Sequence, residues 1–181
     1  MYPRRGRGGM GLPKIGSSAP PFALPDGSGA TISLKQLRGT RVVLYFYPKD
    51  DTPGCTVEAC EFRDNLAAVQ KAGAAVLGVS KDSVERHRNF GAKFSLGFPL
   101  LADEETRVIR SYGVWQEKSL YGRKFMGIVR TTFLIDERGR VAAVFEKVRP
   151  KGHAAEVLAA LKQLGPVGGG AKRAAARRGT R

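Results

Sequence analysis

Residues 41–47, Arg-Val-Val-Leu-Tyr-Phe-Tyr, carry no charge after the arginine and stop at Pro48. A continuous apolar and aromatic run of this length fits a central strand buried on both faces. Proline cannot donate to a sheet ladder, so it closes the strand. A strand of that kind needs a layer on each side, and the segments around it supply them. Residues 56–71 predict a helix, with Val57, Cys60, Leu66 and Val69 among its apolar positions and Gly73 as its stop. Residues 74–80 (AAVLGVS) read as the next buried strand. Residues 83–94 predict a second helix with Ser83 as its cap. Residues 98–103 (FPLLAD) suit a third strand, and 104–113 a third helix.

The ends of this core are also legible. Residues 20–34 (PPFALPDGSGATISL) resemble a short hairpin turning at Asp26. Residues 128–136 and 140–148 flank Glu137-Arg138-Gly139 and read as a second antiparallel hairpin. Residues 152–164 predict a closing helix. Strand–helix–strand units imply parallel pairing, and the late hairpin adds antiparallel strands. The expected class is α/β: a mixed central sheet flanked by helices, with an N-terminal β-hairpin, in a thioredoxin-like topology.

The 181 residues suffice for one ordinary domain. The formal charge of +15 is concentrated at the ends. Residues 1–14 carry Arg4, Arg5, Arg7 and Lys14, and residues 165–181 carry Lys172, Arg173, Arg177, Arg178 and Arg181, with no acid in either stretch. Those nine leave 22 basic against 16 acidic side chains in residues 15–164, a net of +6. Both ends are rich in Gly and short of large apolar residues, so they are expected to be disordered tails around a domain at 15–164. A basic tail attracts polyanions, so non-specific nucleic-acid binding is one expectation and a solubilising extension the other. The basic start lacks an apolar stretch of the secretory type, and no run approaches the ~18 apolar residues of a spanning helix. A cytoplasmic protein with no membrane association is expected.

Two cysteines and two scattered histidines do not suit a four-ligand zinc site. Cys55 and Cys60 also lack the Cys-x-x-Cys spacing of common dithiol motifs. Cys55 follows Thr52-Pro53-Gly54, where a strand gives way to a helix. A thiol reacts as thiolate, and a helix start and a nearby cation both favour the anion. Lys49 is adjacent, and Arg130 lies on a strand that could cross beneath the site. Asp50 and Asp51 oppose a thiolate, so their side chains are expected to face solvent. Thr52 could bond a substrate oxygen or act as a plain helix cap. Pro53 and Gly54 permit a tight turn and close approach, and Pro48 would shield one side of the thiol.

Five residues along a helix separate the two Cα atoms by roughly 8–9 Å. A disulfide needs them within about 7 Å. If Cys60 pairs with Cys55, the first helical turns must unwind; otherwise Cys60 is a buried core thiol.

Residues 45–64 (YFYPKDDTPGCTVEACEFRD) resemble the reactive segment of the peroxiredoxins, through Pro-x3-Thr-x2-Cys. Cys60, five residues on, is similar to the branch called bacterioferritin comigratory protein or peroxiredoxin Q. The resemblance also runs through residues 19–29 (APPFALPDGSG), 113–118 (GVWQEK) and 130–141 (RTTFLIDERGRV), covering about residues 15–164. Gln116 stands where such proteins often have Gly. The resemblance implies a thioredoxin-dependent peroxidase acting on hydrogen peroxide and organic hydroperoxides. Cys55 would be the peroxidatic nucleophile and Cys60 the resolving thiol. Thr52 and Arg130 would bind the peroxide oxygens, and Pro48 would shield the pocket. No metal, haem or flavin is implied. An intrachain resolving cysteine removes the catalytic need for a second subunit, so a monomer is expected.

The remaining candidates read as ordinary. His87 sits between Arg86 and Arg88 and is expected to be solvated. His153 looks structural or exposed, and Trp115 looks like loop packing. Glu58 would stabilise the helix start or contact Arg130.

Overall fold

A computed structural model describes residues 11–167. The tails expected at 1–14 and 165–181, and any binding through them, lie mostly outside these residues. Five strands form the central sheet: β3 (Arg41–Phe46), β4 (Ala74–Ser80), β5 (Leu100–Ala102), β8 (Thr131–Ile135) and β9 (Val141–Phe145). Their order is β5-β4-β3-β8-β9, with β3, β4 and β5 parallel and β8 antiparallel to both β3 and β9. Two small hairpins stand outside it: β1 (Ala23–Pro25) with β2 (Thr31–Ser33), and β6 (Trp115–Leu120) with β7 (Arg123–Ile128). The helices are α1 (Pro53–Asp64), α2 (Leu66–Lys71), α3 (Val84–Lys93), α4 (Arg107–Ser111) and α5 (His153–Gln163).

β3 is buried along its whole length, and its alternation divides the core. Val42, Leu44 and Phe46 face a layer that includes α4 and the first hairpin, through Val108, Ile109, Phe22 and Leu24. Val43, Tyr45 and Tyr47 face α1, α2, α3 and α5, through Phe62, Val69, Phe90 and Val157. Each large apolar side chain fully buried this way stabilises the fold by roughly 1.5–3 kcal/mol. Helices thus cover both faces, as the order of elements implied. Gly78 on β4 follows from the same packing, because a Cβ there would stand 2.8 Å from both Leu100 and the Tyr45 ring.

Several expectations change at the level of side chains. The predicted helix over 56–71 begins earlier, at Pro53, and breaks at Asn65. There the Asn65 side-chain amide donates to the Glu61 carbonyl (2.8 Å). Such local bonding competes with regular helix. Val57, one of the apolar positions of that predicted helix, is 42% exposed. Trp115, read as loop packing, instead opens the β6–β7 hairpin, which turns at Tyr121 and Gly122, both with positive φ. Trp115 is half-buried in its first strand and packs on the core, with Lys81 and Arg110 over its ring.

His87 is buried rather than solvated. Its Nδ1 lies 2.6 Å from Asp50 Oδ2, and its Nε2 donates to the Leu101 carbonyl (2.9 Å). It follows Val84 by three residues and precedes Phe90 by three, which is one face of a helix. His153 is also buried, bonded through Nε2 to Thr132 (2.7 Å). Burial lowers its pKa against the opposing pull of Glu156.

Candidate active site

The site forms where β3 ends and α1 begins. Half-buried Pro48 follows the strand, and Asp51 takes a left-handed conformation (φ 57°) that turns the chain. Asp tolerates this region better than most residues. Lys93 pairs with the Asp51 carboxylate at the surface (2.8 Å). Asp50 does not face solvent as expected. It is buried, accepts from Tyr47 (2.5 Å) and His87, and donates its backbone N–H to Asp82 (2.9 Å). The loop ahead of the cysteine is therefore tied to α3 by both acids, and Asp50 already has its hydrogen-bonding partners.

Thr52 takes the cap position of α1, and Pro53 opens the helix. The Thr52 hydroxyl does not cap; it donates to the Lys49 carbonyl (2.9 Å). Cys55 consequently lies in the first turn of the helix rather than ahead of it, and is buried. Lys49 is exposed, and the cation that reaches the sulfur comes from β8's leading edge. Arg130 donates Nη2–H to Cys55 Sγ (3.2 Å) and Nη1–H to Glu58 Oε1 (2.8 Å). Charge-assisted donors of this kind favour an anionic sulfur. Gly54 leaves room for the guanidinium, since a Cβ would approach Nη2 to 3.3 Å.

Glu58 is fully buried, one helical turn from Cys55 on the same face. Burial raises its pKa to about 7, against the opposing effect of Arg130. Burial disfavours the Arg130 charge too, but Glu58 and Cys55 more than offset this and hold its pKa above the ordinary value. Two buried polar atoms at this site have no partner among the described residues: Glu58 Oε2 and the Tyr45 hydroxyl. Burial, then the negative charges of Glu58 and Cys55, push the Tyr45 phenol well above its ordinary pKa. It stays protonated on its stack with Phe62 (4.9 Å).

The β6–β7 hairpin contributes a residue that sequence reasoning missed. Lys118 donates to the Ile128 carbonyl (2.9 Å), two residues before Arg130. Burial lowers its pKa, Arg130 lowers it further, and Cys55 opposes the change. The hairpin signal was weak because its two-residue turn, Tyr121-Gly122, has tyrosine where Asn or Gly usually marks left-handed backbone.

Cys60 is half-buried on the same unbroken helix as Cys55, and both thiols are free. The structure thus assembles Cys55, Arg130, Glu58 and the Thr52 backbone at one helix start. Cys60 lies a turn and a half away.

Residues 15–144 match the sequence model of the AhpC/TSA family. The chain is 53% identical over 148 residues to a Coxiella burnetii protein named putative peroxiredoxin bcp, covering 82% of this chain and 98% of that one. It is 46% identical over 150 residues to peroxiredoxin Bcp of Escherichia coli K12, covering 83% and 96%. Among solved structures it is similar to the bacterioferritin comigratory protein of Xanthomonas campestris, described for alkyl peroxide reduction. That likeness has a TM-score of 0.76 and 44% identity, and covers 79% of this chain and 91% of that one. Nucleic-acid binding through the tails finds no support in these comparisons. Among the described residues no helix is long and apolar enough to cross a membrane. The chain belongs to the AhpC/TSA family, within its Bcp or peroxiredoxin Q group, and is a peroxidase that reduces peroxides at the expense of thiols.

Proposed function

We propose that Cys55 is the peroxidatic nucleophile and Cys60 the resolving thiol of an intramolecular cycle recycled by thioredoxin. The observation that carries this reading is the Arg130 guanidinium 3.2 Å from Cys55 Sγ in the first turn of α1. The Cys55 thiolate attacks the distal oxygen of the peroxide, the O–O bond breaks, and the released alkoxide or hydroxide takes a proton. Cys55 is left as sulfenic acid. Arg130 and Thr52 hold the peroxide oxygens and the charge that develops on the leaving one. Pro48 limits access of water from the strand side. Cys60 then displaces water from the sulfenic acid to form the disulfide. Helix geometry requires the turns between them to open first. Thioredoxin returns both thiols by exchange.

Hydrogen peroxide and small organic hydroperoxides are the substrates of this reading. The active species is a monomer, since both reacting sulfurs belong to one helix. The domain is residues 15–164, and the cycle runs in the cytoplasm, where dithiol donors are reduced. One equivalent of hydrogen peroxide added to reduced protein should remove two hydrogens and protect both cysteines of one monomer from alkylation. Cys55→Ser should abolish peroxide consumption. Cys60→Ser should allow a single oxidation and stop thioredoxin turnover. Two freely alkylated thiols after peroxide exposure would refute the assignment.

A further inference from the structure

The loop from β9 to α5, residues 146–152, lies along α1 from one cysteine to the other. At the Cys55 end, Val148 N–H donates to the Arg130 carbonyl (3.0 Å). Pro150 sits beside Gly54, where a Cβ would stand 3.5 Å from the proline ring. At the Cys60 end, Gly152 N–H donates to both oxygens of Glu61 (2.9 and 3.0 Å). Interleaved with these anchors, the loop exposes Lys147, Arg149 and Lys151, at alternate positions.

None of the three cations has a side-chain partner among the described residues. The Glu61 carboxylate is engaged by the Gly152 amide, and the exposed Glu156 is directed at His153 (3.4 Å). Glu146 is the one acid within the loop itself. On the helix between the cysteines, Val57 is 42% exposed. The exposed side of α1 thus carries an apolar residue, and the loop anchored beside that helix carries three cations without side-chain partners among the described residues. A solubilising charge needs no fixed place, whereas this loop is held beside α1 by the backbone bonds of Val148 to Arg130 and of Gly152 to Glu61, the latter on the Cys60 half of the helix.

We propose that residues 147–151 form the docking edge for the protein dithiol that regenerates the site, and that this partner carries carboxylates beside its own cysteines. This rests on the disulfide cycle proposed above. In the docked pair, a partner thiolate attacks one sulfur of the Cys55–Cys60 disulfide and forms a mixed disulfide. The partner's second thiol displaces it, so the partner leaves oxidised and both cysteines leave as thiols. Two electrons and two protons pass to this chain. Exposed cations facing carboxylates speed encounter and lose that effect as salt screens them. A neutral peroxide does not depend on such an edge.

The test uses full-length protein oxidised with one equivalent of hydrogen peroxide, and reduced thioredoxin as the probe. Re-reduction is timed with thioredoxin and with dithiothreitol, a small uncharged dithiol. Raising NaCl from about 20 to about 500 mM should slow thioredoxin roughly tenfold. The variant K147E/R149E/K151E should lose a further factor of roughly ten at low salt, and K147Q/R149Q/K151Q an intermediate amount. Dithiothreitol rates should stay within a factor of about two throughout. Equal losses with both reductants, or no loss with thioredoxin, overturn the docking edge while leaving the cycle intact. A wild-type disulfide that fails to form, or that dithiothreitol reduces and thioredoxin does not, overturns the underlying cycle and the proposal with it.

Discussion

The two halves of α1 are held by different forces. The half bearing Cys55 buries Cys55, Ala59 and the charged Glu58 but no large apolar side chain, and its polar ties converge on Arg130 through Cys55 and Glu58. The half bearing Cys60 buries Phe62 against Tyr45. It is also bonded through Glu61 to Gly152, through Arg63 to the Phe94 carbonyl (2.8 Å), and through Asn65 to Glu61. On the proposed cycle, oxidation removes negative charge from Cys55 and weakens the first set alone. The second set consists of burial and bonds that the reaction does not touch. The turn at Cys55 should therefore yield and travel toward an anchored Cys60.

Removing the anchor would break this contrast most severely. Phe62→Ala should cost about 3–5 kcal/mol, from lost burial and the cavity left beside Tyr45, read from urea unfolding of the reduced protein. Arg130→Met attacks the other half. It should lower the second-order rate with hydrogen peroxide by about 10²–10³-fold, measured by stopped flow, with a smaller change in global stability than Phe62→Ala.

Glu58 offers a pH-dependent version. Its folded pKa of about 7 lies above the ordinary value of 4.5 because of burial. Between those values the folded state holds a proton that the unfolded state has released. This contribution to stability is complete below pH 4.5 and declines as pH rises to about 7. The decline is on the order of 3 kcal/mol as an upper bound. Glu58→Gln should flatten it, and urea melts of both proteins across that interval would show whether it does. The mildest test sharpens the anchored side. Glu61→Gln should cost about 1 kcal/mol, as a charge-assisted bond becomes a neutral one. Single-turnover mass measurements should then show disulfide formation speeding up by less than about fivefold.

Much of the fold could be read before folding. The unbroken run at 41–47 predicted the fully buried β3, Ser83 caps α3 by accepting from Arg86 N–H (3.2 Å), and both predicted hairpins are present. The misreadings arose where a polar side chain has an apolar address. His87 and Asp50 look like surface residues by type, yet each is the other's buried partner across 37 positions. Val57 is the reverse case, an apolar residue exposed on α1.

The order of residues alone set the strand that ends at proline, the cysteine in the turn that follows, and the second thiol five positions on. Those are local facts of periodicity, backbone restriction and helix rise. Which cation reaches the sulfur was not local. Lys49 is six residues from Cys55 and exposed, whereas Arg130 is 75 positions away and within hydrogen-bond distance. Only the antiparallel pairing of β8 with β3 brings it there, with Phe46 opposite Thr131. Burial against Glu58 then holds the guanidinium at the start of the helix.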